Sequence, residues 1–449
     1  MKLITTLIML LSLQTATNAQ TDTNDKMQWF NDAKLGIFIH WGVYAVDGTR
    51  ESWAFFRGEV PYDEYMNQAE RFTARNYNPE KWAILFKEAG ARYAVLTTKH
   101  HDGMALWDTK MSDLNVVKKT PAGRDLVGPY CDALRKHGLK VGLYFSHLDW
   151  SHPDYASIAP PDVLFKDDRN PYAYPPKGKE DILKWESFLK FHRGQLHELM
   201  INYQPDLLWF DGAWERSNQQ WKMKELRDSI FTWKDDVIVN SRLSGYGDYE
   251  TPEQALPITK PDEKWELCMT LNRSWGYRQS DTNYKSPREI IRTFTEVFTN
   301  GGNLLLDVGP MEDGTIPDEQ VFRLKELGSW ISKHEEAVYP VVAGLPEGHF
   351  YGPTALSPDS TTIYLYLFNQ PVEYIALKGI KNKIKSISVV GTGETLKHKI
   401  SGGANWLDIP GIIQIDVPEK QDKYTTVIAV NLEKPLELYH GPGYVKHKD

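Results

Sequence analysis

Short apolar runs alternate with amphipathic stretches over residues 30–340. The runs at 35–44, 93–98, 140–146, 206–211, 236–241, 265–270 and 303–308 are continuously apolar rather than alternating, the pattern of parallel strands buried on both faces. Between them, residues 79–89, 125–137, 181–203, 219–231, 287–299 and 317–336 carry helical periodicity. Pro79, Pro287 and Pro317 sit where three of these helices should start, behind Asn78, Ser286 and Ile316. Seven βα-like units in series predict an α/β fold, a (β/α)8-like TIM barrel, distorted because an eighth strand is not legible. No Gly-x-Gly-x-x-Gly follows the first run, which disfavours a dinucleotide-binding sheet.

The texture changes after residue 340. Residues 363–368, 374–377, 384–390, 412–416 and 425–431 are short, β-rich and separated by Pro, Gly and Asn turns, which predicts a C-terminal β-sandwich. The expected division is a catalytic barrel over 20–340 and a sandwich over 341–449, with a hinge at 339–348.

Residues 1–19 read as a signal peptide. Lys2 supplies the positive charge, residues 3–13 are apolar except for Thr5, Thr6 and Ser12, and Thr17-Asn18-Ala19 offers small residues for cleavage before Gln20. The apolar stretch is too short to span a bilayer, and no later one is long enough, so no transmembrane segment is expected. Cys131 and Cys268 are the only cysteines, and both read as buried free thiols. That economy suits bacterial export to the periplasm or the cell exterior rather than a disulfide scaffold.

The net charge is −8 with no run of Lys or Arg, which argues against nucleic acid and anionic membranes as partners. The chain holds 15 Trp and 23 Tyr, enough either for a Trp-rich core or for surfaces that stack on sugar rings.

Chemistry concentrates at the ends of the predicted strands. In chain order these are Phe38-Ile39-His40-Trp41-Gly42, Lys99-His100-His101-Asp102-Gly103, Ser146-His147-Leu148-Asp149-Trp150, Trp209-Phe210-Asp211-Gly212 and Asn240-Ser241-Arg242. The C-terminal strand ends of a barrel share one mouth, so five polar ends in series predict an active site there. Asp211 follows the apolar run Leu207-Leu208-Trp209-Phe210 and reads as a nucleophile able to attack an anomeric carbon, or as a cap for the next helix. A retaining glycosidase needs a second carboxyl group about 5–5.5 Å away. Glu253, in the turn-rich Asp248-Tyr249-Glu250-Thr251-Pro252-Glu253, and Glu266, on the sixth run, both meet that need on spacing alone. Neighbouring residues on a strand point to opposite faces, so His100 and His101 should not ligate one ion unless the chain bends there. No metal and no cofactor is expected. Arg242 should contact a ring oxygen or a sugar hydroxyl, or pair with Glu266.

These residues resemble the α-L-fucosidases of glycoside hydrolase family 29. The matching strings are Ile37-Phe38-Ile39-His40-Trp41-Gly42-Val43-Tyr44, Lys99-His100-His101-Asp102-Gly103, Leu208-Trp209-Phe210-Asp211-Gly212, Trp265-Glu266-Leu267-Cys268, Ser274-Trp275-Gly276-Tyr277-Arg278, Gly301-Gly302-Asn303-Leu304-Leu305-Leu306 and Gly309-Pro310. The resemblance spans nearly the whole chain after residue 20. It implies a barrel followed by a β-sandwich, and retaining, metal-independent hydrolysis of terminal α-L-fucose from fucosylated oligosaccharides or glycoconjugates. It implies Asp211 as nucleophile and His40, His100, His101, Tyr144, Trp209 and Arg242 as the lining of the fucose pocket. It implies Trp275 against the methyl group of the sugar. The loop after strand five favours Glu253 as acid/base, with Glu266 as the fallback and otherwise a sugar contact. The family often has Glu directly before Trp, whereas here Ser52 separates Glu51 from Trp53; both Glu51 and Trp53 are candidate sugar contacts. Two rival readings stand beside this one: a related retaining glycosidase for another sugar, such as a galactosidase, and a catalytically inactive fucose-binding protein.

Overall fold

The computed structural model describes residues 19–159 and 170–441, with the side chains of 19–25 excepted. Residues 1–18, and with them nearly all of the expected signal peptide, lie outside the described residues. Seven parallel strands form one sheet in the order β5-β4-β3-β2-β1-β7-β6. They are β1 (Leu35–Ile39), β2 (Tyr93–Lys99), β3 (Lys140–Ser146), β4 (Leu207–Asp211), β5 (Ile238–Val239), β6 (Glu266–Thr270) and β7 (Asn303–Val308). Every residue of these strands is buried except Lys140, which explains their unbroken apolar character.

The ring closes through a stave that the apolar pattern did not reveal. Residues 248–254 run between β5 and β6, parallel to both. On one side the N–H of Asp248 donates to Val239 and that of Ser241 to Tyr249. On the other, Glu266 donates to Glu250, Cys268 to Pro252 and Gln254 to Cys268. No helix separates β5, this stave and β6, so the barrel is distorted as expected but complete in its staves.

Long helices follow the other strands: Pro79–Glu88, Val127–Lys136, Ile182–Tyr203, Met223–Trp233, Pro287–Thr299 and Asp318–Lys333. Asn78 and Ser286 cap two of them through side-chain oxygens, each with proline in the first turn. Three expectations need correction. The first run stops being a strand at Ile39 and continues as a short 3-10 turn at Val43–Ala45. The helix expected over 219–231 breaks at Lys222, which adopts a left-handed φ of 50° between Asn218–Trp221 and Met223–Trp233. Pro317 precedes its helix rather than opening it.

The helix Ala19–Ala33 plugs the bottom of the barrel. Met27, Phe30 and Ala33 join Phe38, Tyr93, Val95, Leu207, Ile238 and Tyr249 in one buried cluster. Phe30 lies against Tyr249 with ring centroids 4.4 Å apart. Apolar side chains thus pack across the bottom, and the polar strand ends stand at the opposite, C-terminal mouth.

After residue 341, two antiparallel sheets pack face to face. The larger has β8 (Val342–Ala343), β9 (Thr354–Leu356), β10 (Thr362–Leu367), β12 (Ile384–Val389) and β15 (Thr426–Leu432); the smaller has β11 (Ile375–Leu377), β13 (His398–Ser401) and β14 (Ile412–Ile415). Alternate residues such as Ile363 and Leu365 meet Ile375, Leu377, Ile413 and Ile415 between the sheets. The other face of the larger sheet packs on the barrel, where Tyr364, Tyr366, Val427 and Ala429 join the main core. Cys131 and Cys268 are buried and unpaired.

Candidate active site

β4 delivers Asp211 to the mouth. Its neighbour Gly212 turns the chain at φ +83°, and a Cβ there would lie 2.4 Å from Cγ of Leu148, so only glycine leaves the carboxylate at the tip. One carboxylate oxygen of Asp211 accepts from Arg242 at 2.8 Å. The other accepts from the Tyr144 hydroxyl at 3.0 Å, with Nε2 of His101 at 3.7 Å. Arg242 lies beyond the short β5. Its second terminal nitrogen donates to Glu253 at 2.8 Å, and its Nε to Thr251 at 3.2 Å. Burial works against the guanidinium charge, but the carboxylates of Asp211 and Glu253 outweigh it and raise the pKa of Arg242. The expected pairing of Arg242 with Glu266 is replaced by this bridge between Asp211 and Glu253.

Glu253 stands at the end of the inserted stave. Gln254, with φ 63°, turns the chain left-handed immediately after it. The Glu253 side chain keeps 42% of its accessible surface.

Glu266 is placed elsewhere. It is the first residue of β6, below the mouth, and has no exposed surface. Its oxygens accept from the hydroxyls of Tyr93 and Tyr249 and from the Trp209 indole. Burial pushes its carboxyl up to about 7. Glu266 begins its strand, as its place near the start of the sixth run implies, and so lies one layer beneath the indole of Trp209 rather than at the mouth.

Three histidines turn toward Asp211. His40 engages Asp307 through Nδ1 at 2.7 Å, which aims Nε2 into the mouth. His100 uses Nδ1 on Ser52 at 2.5 Å, and His101 uses Nδ1 on Ser146 at 2.6 Å. Burial lowers the pKa of all three, that of His100 to about 4, so they face the cavity as neutral rings. The expectation that His100 and His101 face opposite ways does not hold: their ring centroids are 4.1 Å apart. The β2–β3 register shifts between Thr97 and Lys99, and both histidines follow the end of the strand, so strand alternation no longer governs them. A buried Lys99–Asp149 ion pair at 3.2 Å fixes that turn from beneath.

Together these groups line a cavity of about 220 Å³. His40, Glu51, Trp53, His100, His101, Tyr144, Trp209, Asp211, Arg242, Glu253 and Trp275 all contribute, and Glu266 does not. Trp275 tilts over His40 at 4.8 Å between centroids, and Phe38 lies beside both. The Arg242 guanidinium sits 4.6 Å over the Trp209 ring. Glu51 is buried with one oxygen accepting from the Gly276 N–H at 2.6 Å, so the insertion of Ser52 does not remove it from the wall. Ser52 is itself used, as the partner of His100.

Sequence reasoning passed over Asp307, Ser52 and Ser146, which orient the three histidines. Asp307 carried a signal: it is the lone acid in the apolar strand β7, the same signature that singled out Asp211. Ser146 opens one of the five polar strand ends, though with no role attached, and Ser52 carried no signal. Phe38 and Trp214 also line the cavity, and neither is among the candidates the sequence singles out.

A pocket in which two carboxylates flank one guanidinium, with an aromatic wall and neutral imidazoles, is suited to a pyranose with an apolar edge and to covalent catalysis at its anomeric carbon. Comparison with known proteins points the same way. The sequence model of the family described as "Alpha-L-fucosidase" matches residues 11–336. Tissue α-L-fucosidase of Bos taurus is 35% identical over 348 residues, covering 71% of this chain and 70% of that protein. The solved structure of α-L-fucosidase isoenzyme 1 from Paenibacillus thiaminolyticus superposes with a TM-score of 0.81 at 33% identity, covering 92% of this chain and all of that one. A trapped covalent intermediate of a family 29 α-L-fucosidase from Bacteroides thetaiotaomicron, in complex with 2-fluoro-fucosyl fluoride, superposes with a TM-score of 0.79 at 28% identity, covering 91% and 96%.

Proposed function

The chain belongs to the α-L-fucosidase family, glycoside hydrolase family 29, and from that premise we propose how its barrel mouth cleaves α-L-fucosides with retention. The observation that carries the reading is the Arg242 bridge, which sets Asp211 and Glu253 at the two ends of one guanidinium.

Fucose enters the 220 Å³ cavity with its methyl group toward Trp275 and Phe38 and its hydroxyls toward His40, His100, His101 and Glu51. Asp211 attacks the anomeric carbon from below. Tyr144 and Arg242 hold both its oxygens in place, so little reorganisation remains at the moment of attack. The glycosidic oxygen leaves on the open side, where Glu253 lines both the inner cavity and a wider outer one. Glu253 protonates that oxygen, then removes a proton from the water that releases fucose from Asp211. Its partial exposure supports this role, because the acid/base must meet water in the second step. Glu266 is sealed from water and is instead a positioning residue beneath Trp209.

The substrates are fucosylated glycans. We read residues 1–19 as an export leader and the protein as periplasmic or extracellular in a bacterium, with the catalytic unit over 20–340 and the sandwich over 341–449. Hydrolysis of an aryl α-L-fucoside followed by proton NMR tests the reading: α-L-fucose must form first and mutarotate later. First appearance of the β-anomer, or no hydrolysis while galactosides are cleaved, would overturn it. Purification of the exported protein with Gln20 as its first residue tests the leader.

A further inference from the structure

The outer cavity has a charge pattern that cleavage of a neutral sugar does not require. It measures about 710 Å³ and shares Glu51, Trp53, Glu253 and Trp275 with the inner one, so it receives the leaving group. Four arginines line it: Arg50, Arg57, Arg273 and Arg278. This is unexpected in a chain of net charge −8.

The three acids on the same wall are already engaged. Glu51 accepts from the Gly276 N–H, and Glu253 from Arg242. Asp281 accepts from the Arg273 N–H at 2.9 Å and from the Ser274 hydroxyl at 2.8 Å. Among the arginines, Arg50 pairs with Glu59 at 3.2 Å. Among the described residues, no carboxylate forms a salt bridge with Arg57, Arg273 or Arg278; Arg57 lies 5.1 Å over the Trp53 ring. Exposed arginines are ordinary singly. Here three without acidic partners line one cavity beside the group that handles the leaving oxygen, Arg273 facing only the neutral amide oxygen of Asn283, and a guanidinium fork fits a planar or tetrahedral oxyanion.

We propose that the leaving-group side of this site is a subsite for an anionic sugar, one bearing a carboxylate or a sulfate ester. The proposal rests on the reading of Asp211 and Glu253 as the reacting pair.

The test compares kcat/KM for a neutral fucosylated oligosaccharide with that for two counterparts whose leaving group carries a sialic acid carboxylate or a sulfate ester. At low ionic strength at least one anionic counterpart should be cleaved about tenfold more efficiently, chiefly through KM, with the advantage shrinking as salt is added. The arm that shows the gain identifies the anion. In an Arg273→Ala/Arg278→Ala variant the advantage should fall to about threefold or less while hydrolysis of an aryl fucoside is unchanged. The salt dependence of the wild type is an independent measurement should that variant not fold. Equal or faster cleavage of the neutral substrate, an advantage indifferent to salt, or one that survives in the folded double variant, would overturn the subsite. Loss of the subsite with aryl fucoside hydrolysis intact leaves the fucosidase reading standing; a wild type inactive on every fucoside overturns both.

Discussion

Arg242 and Asp211, 31 residues apart in sequence, meet at 2.8 Å because β4 and the turn after β5 end side by side at the barrel mouth. The contact fixes one oxygen of Asp211, and Tyr144 fixes the other. A nucleophile so held loses almost everything on truncation. Asp211→Ala should lower kcat on an aryl α-L-fucoside by about three or more orders of magnitude without unfolding the chain. Added azide should restore part of the rate and give the inverted fucosyl azide, since the small anion fills the space of the carboxylate. A variant that keeps a tenth of wild-type activity would remove Asp211 from the role.

Trp275 and Phe38 lie side by side in the cavity lining, and in the proposed pose they form the apolar wall against the sugar methyl group. An apolar wall rejects an added hydroxyl only moderately, by about a hundredfold. The wild type should therefore prefer an aryl α-L-fucoside over the 6-hydroxylated α-L-galactoside by about that factor in kcat/KM. Trp275→Ala should cut the preference to about tenfold or less, mainly by weakening the fucoside. An unchanged ratio would mean that the methyl group lies elsewhere.

Burial raises Glu266 from 4.5 to about 7. A carboxyl group raised in the folded state favours folding fully below its unfolded pKa, and that contribution disappears as pH climbs through the folded value. Relative to Glu266→Gln, wild-type stability should thus decline between about pH 4.5 and 8, by at most about 3 kcal/mol. Chemical denaturation of the two proteins across that range measures the difference, and the many other titrations cancel between them. A difference independent of pH would mean that Glu266 does not take up a proton in the folded chain.

The staves that are buried on both faces were legible because their apolar runs are unbroken, as in Leu207-Leu208-Trp209-Phe210. The eighth stave was not. Asp248, Glu250, Thr251, Glu253 and Gln254 are polar, and Pro252 lacks an N–H for a ladder. Its lower residues satisfy β5 and β6 through backbone atoms, while its tip belongs to the site, so chemistry displaced the hydrophobic pattern there. Residue choice revealed the carboxylates, histidines and indoles of the mouth. It could not reveal which way they face. The bulge before Lys99 turns both His100 and His101 inward, and the orienting Ser52 and Ser146 have the look of ordinary polar residues.

Glu253 and Glu266 can be told apart by how their loss depends on the leaving group. A general acid matters most when that group is poor. An activated aryl fucoside departs with little protonation, whereas a sugar alcohol needs it. Glu253→Ala should therefore cripple hydrolysis of a natural fucosyl disaccharide, by about a thousandfold, while fucosyl-enzyme still forms readily from the aryl substrate. The trapped intermediate should then be released by azide as the retained fucosyl azide, because azide needs no general base. Glu266→Ala should instead damage both substrates alike, since it leaves the Tyr93 and Tyr249 hydroxyls and the Trp209 N–H without their acceptor and loosens the floor of the cavity. Its sealed position also denies azide any path to replace it. If Glu266→Ala alone showed the substrate-dependent loss and the retained azide product, the two roles would have to be exchanged.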